Sequence, residues 1–571
     1  MKRGRAAEGT APDAPVPGPL LERGLVALLL LAHVLLVAWG IRTQSVTFDE
    51  SAHVPAGVAQ VARGDARVST VNPPFVKSLF GAAAIAAGAT APKDAAIATH
   101  DQWAVGESFM RANAARFHRV YAAARSVSLL LSLLLAVLLW RAARARGGPA
   151  AGLVALAVWC LAPEALAHAG IASLDVATAL GWTACALALE TFLRRGGWRE
   201  WGALAAAVVF LSVTRFSAVL LAPLAVLAFV LAAVRGRLAT PAATAARLAL
   251  LLPVVVLALA LAYGEAPLTA PLRELPLRSA RFTALRAAAP WLRLPVPATM
   301  LAGLDEQTAQ GEAGRLTTYL DGAKVTRTLA RYFPYAIALK WPLALLLALL
   351  ARAALALRER GRCGSGLWLP AAVFLAALMF GGVPDAGVRY ALPLLPLAAI
   401  GVGDLAGRIA PQFVGSGGRW LGAAAGIALT AGLAIEAFLA APNWLPHFNA
   451  LAGDASRQER ELNDSNVDWG QGLIALRAEM QRLGVRRVHL AYHGTVDPAV
   501  YGIDYVPYVG GMPGPESDWL AISSYFYVGL PARLMTRTGY TPGPIVYDTR
   551  PLWIRTPAAH PAGCMWLFRL R

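Results

Sequence analysis

Charge is what this chain has least of: 15% of its 571 residues are Asp, Glu, Lys or Arg, while 57% are hydrophobic. That balance excludes an ordinary soluble protein, and the apolar residues come in blocks of about 17 to 23, the length that crosses a bilayer. A polytopic, α-helical membrane protein is expected. Lysine is nearly missing, since Lys2, Lys77, Lys93, Lys324 and Lys340 are the only lysines among 52 basic residues. Scarce lysine beside abundant arginine and alanine points to a GC-rich bacterial genome. The net charge of +18 does not imply nucleic acid, because the basic residues are scattered over short loops and form no face interleaved with aromatics. Cysteine is limited to Cys160 and Cys185 in apolar blocks, Cys363 in a loop and Cys564 near the end, a spacing with neither a disulfide framework nor a metal site. A nucleotide-binding glycine pattern is also missing: "GVGDLAG" lies in a membrane helix, outside any strand–turn–helix setting, which disfavours a nucleotide ligand.

What is present is an ordered series of apolar blocks, at about 24–41, 122–140, 151–167, 173–192, 201–213, 216–234, 246–263, 336–351, 367–381, 389–403 and 420–440. These predict eleven crossings. Arginines mark alternate connections at 141, 144 and 146, at 194, 195 and 199, at 235 and 237, and at 352, 358, 360 and 362, which places those loops in the cytoplasm. The block 201–234 has basic flanks at both ends, so it must enter and return, turning at Thr214-Arg215. The polar, Pro-rich and basic residues 1–23 read as a cytoplasmic tail before a retained helix. Parity then puts outer loops 42–121 and 264–335, and a C-terminal domain 442–571, on the far side of the membrane. In that last part "GLIALRAEMQRLG" has helical periodicity, and "VRRVHLAYHG", "WLAISSYF" and "PIVYDTR" are strand candidates, so a small soluble α/β domain is expected.

Candidate functional residues gather on the same outer face. "TFDESAHVPAG" sets Asp49, Glu50 and His53 at the mouth of the first helix, where carboxylates near lipid need solvent or polar partners. "VNPPFVKSLFGAAAIAAG" follows; its prolines start a helix too short to span, expected in the interface with Lys77 snorkelling to the headgroups, either as an anchor or toward a lipid phosphate. Asp175 falls in the first turn after Ser173, so helix capping alone accounts for it. Arg215 and Arg389 are isolated cations at outer helix ends, and Lys340 is a weaker candidate that snorkels at the start of its helix. "NDSNVDWGQG" bunches Asp464, Asn466, Asp468, Trp469 and Gln471, acceptors and donors with an aromatic platform suited to sugar, though Asp468 also reads as a helix N-cap.

Asp-Glu with His and Pro just after, then Asn72-Pro73-Pro74 with Lys77 three residues on, resembles the first outer loop of phospholipid-carrier-dependent glycosyltransferases, the GT-C group of protein O-mannosyltransferases and the aminoarabinose transferase. The likeness continues through "LAHAGIASLD", "TRFSAVLLAP", "YFPYAIALKWPLALLL", "GVRYALPLLPLAAIG" and "HFNALAGDASRQERELNDSNVDWGQGL", from residue 47 to about 475. It implies a GT-C fold, with Asp49 as catalytic base, Glu50 beside it and Asp175 at the second acidic position; with these, His53, Asn72, Lys77, Arg215, Lys340, Arg389, Asp468 and Trp469 are the candidate substrate contacts. Two departures stand out: Asn72 replaces a frequent histidine, and Arg315 stands about where relatives carry another. No histidine pair has ligand spacing, so no cofactor or required metal is expected.

The implied chemistry is coherent on its own terms. A sugar on a polyprenyl phosphate has an activated anomeric carbon, so one carboxylate can take the acceptor's proton while cations hold the leaving phosphate. A glycosidase would instead need two carboxylates flanking the bond. The expected activity is inverting transfer from a polyprenyl-phosphate sugar to a hydroxyl of a protein, lipid or glycan, on the outer face of a bacterial inner membrane. The alternative is a transporter or flippase of lipid-linked sugar, whose charges would line a path at the midplane and whose sequence would show inverted repeats. Neither feature is evident.

Overall fold

The computed structural model describes residues 18–313, 318–326, 329–358, 367–382, 385–412 and 416–571. Most of the N-terminal tail, Arg315, Arg360, Arg362 and Cys363 lie outside the described residues. Among the described residues, five helices are long and apolar enough to cross a membrane, six with one bent pair, and four more apolar helices have 10–17 residues. The chain is a multi-pass membrane protein. Its peripheral helices show why: Leu28, Leu31 and Leu35 on the first helix, and Val219, Val226 and Val234 on a later one, are exposed, an apolar surface that only lipid would cover.

The first helix, Pro19–Thr43, packs along Phe117–Leu161. The latter is two helices: Gly147 and Gly148 leave helical geometry, and Pro149 follows. The chain doubles back there, since Trp159 Nε1 donates to the Ser132 carbonyl at 3.2 Å and a Cβ on Gly152 would touch Trp140. His33 ties the three helices together through Ser132 Oγ at 2.8 Å and the Cys160 carbonyl at 3.0 Å. Two ion pairs mark the ends of this bundle, Glu22–Arg144 at 2.6 Å and Glu50–Arg125 at 2.7 Å. From residue 125 to 144 a helix rises about 28 Å, close to the thickness of a hydrocarbon core.

Several expectations need correction. The expected block 336–351 straddles a break: Tyr332–Lys340 and Leu343–Arg358 meet at 118° across Trp341-Pro342. Proline ends the first segment, and the Leu343 amide donates to Glu436 at 3.0 Å. Arg352 is no loop marker; it is buried in that helix against Asp404 at 3.0 Å. The helices Trp198–Ser212, Leu343–Arg358 and Trp368–Phe380 fall short of a normal crossing of about 20 residues, so the eleven expected blocks are not eleven full-length spans. The helix Phe75–Ala86 does not display Lys77 to headgroups. It packs backbone to backbone on Glu50–Arg63, where a Cβ on Gly57 would sit 1.8 Å from the Lys77 carbonyl oxygen.

The C-terminal part carries a four-stranded sheet in the order Tyr505–Pro507, Val488–Ala491, Trp519–Ser523, Met565–Arg569. The first three strands are parallel and the last is antiparallel. The helix Leu473–Arg482 was expected, as were two strands; "PIVYDTR" contributes an isolated bridge at Ile545 in place of a strand.

Candidate active site

The site begins with how the chain leaves the first helix. Residues 44–48 are fastened to the C-terminal part: Ser45 N donates to the Gln471 carbonyl at 3.0 Å, Phe48 N to the Trp469 carbonyl at 2.8 Å, and Val46 N to Tyr501 Oη at 2.9 Å. The two carboxylates that follow are separated by the helix they open. Asp49 is the residue preceding Glu50–Arg63, yet its side chain makes no capping bond and turns to Arg389, whose Nη1 donates to Oδ2 at 2.9 Å. Its side chain keeps 26% exposure, and Oδ1 has no hydrogen bond among the described residues.

Glu50 points the other way and is fully buried. It accepts from Arg125 Nε at 2.8 Å and Nη2 at 2.7 Å, from Thr47 N at 2.8 Å, from Thr47 Oγ1 at 3.0 Å, and from Ala172 N at 2.8 Å. Both oxygens are thus saturated by internal donors, and Glu50 ties down the turn beside Asp49. Burial alone would raise its pKa, but Arg125 and the two backbone amides leave the carboxyl below its ordinary range. Arg125 also donates to the carbonyls of Ile41, Gln44 and Ser45, closing the end of the first helix.

Asp175 opens the helix Asp175–Arg195 and is 1% exposed at its side chain. Arg215 Nη1 donates to Oδ1 at 2.8 Å, Ser173 Oγ donates to Oδ2 at 2.9 Å, and Arg389 Nη1 lies 3.7 Å from Oδ2. Ser173 thus binds the Asp175 carboxylate as well as standing before the helix. On its remaining side is buried His168, Nδ1 at 3.8 Å, whose Nε2 lies 3.7 Å from Glu164. Asp175 is therefore an orienting carboxylate that holds two guanidiniums in place.

Arg389 is the hub. It bridges Asp49 and Asp175, donates through Nε to Ser465 Oγ at 3.2 Å, and lies over Trp469 at 4.3 Å and Tyr390 at 4.8 Å. Arg215 rests 5.2 Å above the same tyrosine ring. Trp469 is 2% exposed, a floor for Arg389 rather than an open sugar platform. Asp468 is buried too, accepting from Gly470 N at 3.1 Å and Tyr525 N at 3.4 Å; it precedes no helix directly, because Leu473–Arg482 starts after Gly472. Burial raises its carboxyl to about 7.

Around this centre the remaining candidates brace the walls. Lys77 is 1% exposed and its Nζ donates to the carbonyls of Ser69, Val71 and Asn72 at 2.8, 2.7 and 2.9 Å, gathering the loop before its helix. Asn72, at φ 67°, accepts from Phe216 N at 3.2 Å and so joins that loop to the Arg215 turn. Lys340 is fully buried at the end of its helix, not its start, donating to the Leu445 and Asn466 carbonyls at 2.7 and 2.8 Å and lying 3.5 Å from Glu164. His53 Nδ1 is buried without a hydrogen bond, and burial pushes the imidazole down to about 4, so it is neutral at pH 7.

Sequence reasoning missed Arg125, Glu164, Tyr390 and Ser465, and left Asp464 undistinguished. A lone arginine inside an apolar block was signal enough for Arg125. Asp464, at φ 59°, has its carboxyl raised to about 6 by burial against the opposing pull of Arg389, with nearby Asp49 adding to the rise. Among the described residues no group of three His, Cys, Asp or Glu is placed to hold a metal.

The geometry can now be set beside known proteins. Residues 105–260 match the family model of dolichyl-phosphate-mannose-protein mannosyltransferases. The matched stretch holds Arg125, Asp175 and Arg215, and excludes Asp49 and Arg389. No curated protein matches the chain in sequence. Among solved structures it is similar to ArnT from Cupriavidus metallidurans bound to undecaprenyl phosphate, at 16% identity and a TM-score of 0.43 over 81% of this chain and 73% of that one. The apo state of the same protein aligns at 15% identity and a TM-score of 0.44, over 81% and 73%. The chain is similar to lipid-carrier-dependent glycosyltransferases.

Proposed function

We propose that the protein is a membrane glycosyltransferase that moves a sugar from a polyprenyl-phosphate carrier to an acceptor hydroxyl, with inversion, at the outer face of a bacterial inner membrane. One observation carries the reading: of the carboxylates gathered by Arg215 and Arg389, Asp49 is partly exposed with a free oxygen, while Asp175 is sealed. In the reaction, Asp49 Oδ1 takes the acceptor proton as the hydroxyl attacks the anomeric carbon. The glycosidic C–O bond breaks on the opposite face and its electron pair stays on the carrier phosphate. Arg389 and Arg215, preorganised by Asp175 and the aromatic rings, stabilise the charge that grows there. The family match over 105–260 supports the class of enzyme.

The test is to give purified protein a synthetic polyprenyl-phosphate sugar and a panel of envelope acceptors. Transfer predicts released polyprenyl phosphate and a product of inverted anomeric configuration by NMR. Movement of intact donor across vesicles, with no free carrier phosphate, would favour the transporter reading instead.

A further inference from the structure

A cavity lies at the membrane face opposite the candidate active site. The helix Asp175–Arg195 has the site's Asp175 at one end and Arg194 at the other, about 29 Å away along its axis. Beside that far end, between Asp175–Arg195, Leu221–Val234 and Trp368–Phe380, is a cavity of about 860 Å³ lined by Leu189, Leu193, Leu224, Leu231 and Trp368. Its rim is cationic, formed by Arg194, Arg235 and Arg237. Glu190, the one rim carboxylate among the described residues, is engaged by Arg146 and lies 4.0 Å from Arg194. Arg235 and Arg237 are exposed and have no carboxylate partner among the described residues.

Depth and charge together define an occupant. From Arg235 to Leu224 the helix descends eleven residues, about 16 Å, which is half of a hydrocarbon core of about 30 Å. The cavity therefore spans one leaflet, apolar below and cationic at headgroup height. We propose that it is a binding site for one anionic phospholipid of the leaflet opposite the active site, with an acyl chain between the three helices and its phosphate on Arg235 and Arg237. Near-surface arginines attract anionic headgroups, and among the described residues these two belong to no ion pair that a lipid would have to break. The site is separate from the donor's phosphate site, which lies at the other ends of the same helices.

The experiment is native mass spectrometry of detergent-purified protein with phosphatidylglycerol or phosphatidylcholine of identical chains. Parent protein should retain phosphatidylglycerol roughly tenfold better, and Arg235→Gln with Arg237→Gln should bring the two lipids to parity. Because both arginines are exposed and have no carboxylate partner among the described residues, that variant keeps the parent's melting temperature. Ala228→Trp, which narrows the cavity, should lower retention of both lipids. Equal retention of the two lipids by the parent, or an undiminished preference in the arginine variant, would overturn the proposal. So would displacement of phosphatidylglycerol by undecaprenyl phosphate in the parent but not in the arginine variant, which would make this a carrier-lipid site.

Discussion

Replacing Glu50 by Gln separates a residue that positions from one that reacts. The substitution keeps the shape and removes the charge facing Arg125, a guanidinium 1% exposed at its side chain. An amide cannot reproduce the bonds either: Glu50 accepts from five donors over both oxygens, and an NH2 group would meet N–H groups where an acceptor is required. Breaking one partner of a buried pair costs about 3–5 kcal/mol, mostly the stranded charge. Thermal unfolding in detergent should therefore show a clear loss of stability. Arg125→Met together with Glu50→Gln should recover part of it, because the stranded charge is gone. The sign with pH follows from the lowered carboxyl. The pair's contribution is fully present above the ordinary glutamate range and is lost as pH falls through the lowered folded value. Loss of activity in Glu50→Gln with unchanged melting temperature would refute this reasoning and make Glu50 a reacting group.

Three further outcomes are expected. Asp468, raised to about 7 by burial, favours the fold in its protonated form, so its contribution is fully present below the ordinary aspartate range and is lost as pH rises to about 7; Asp468→Asn should flatten the thermal-stability profile between about pH 4 and pH 7. Gly57→Ala places a methyl 1.8 Å from the Lys77 carbonyl oxygen and should cost about 1–3 kcal/mol by parting the two helices, read as a drop in melting temperature, whereas exposed Gly64, with open space around it, tolerates Ala with only the strain of its positive φ. Reporter fusions at residue 145 should read cytoplasmic, and those at 300 and after 450 outer; a cytoplasmic reading after 450 defeats the proposed topology.

Asp49, Asp175, Arg215 and Arg389 were legible because each is a charge beside an apolar block, and counting blocks brings their loops to one face. The structure joins them through two guanidiniums. What the sequence could not show is where each charge ends. Lys77 and Lys340 spend their hydrogens on backbone carbonyls, acceptors that every residue carries, so nothing in the residue pattern distinguishes a structural lysine from a phosphate ligand. Adjacent Asp49 and Glu50 looked equivalent, and only the helix they open sends one to Arg389 and the other to Arg125. The strands Tyr505–Pro507 and Met565–Arg569 escaped notice because one is three residues long and the other nearly continuous in apolar residues, without the alternation of a half-buried strand.

The central claim is that Asp49 is the base, and the most direct measurement is turnover of a polyprenyl-phosphate sugar by purified Asp49→Asn beside its donor affinity. Asparagine keeps the size and an oxygen for Arg389 but cannot take a proton. Carrier phosphate release should fall by roughly 100-fold or more with donor binding retained. Near-normal release by Asp49→Asn would contradict the account.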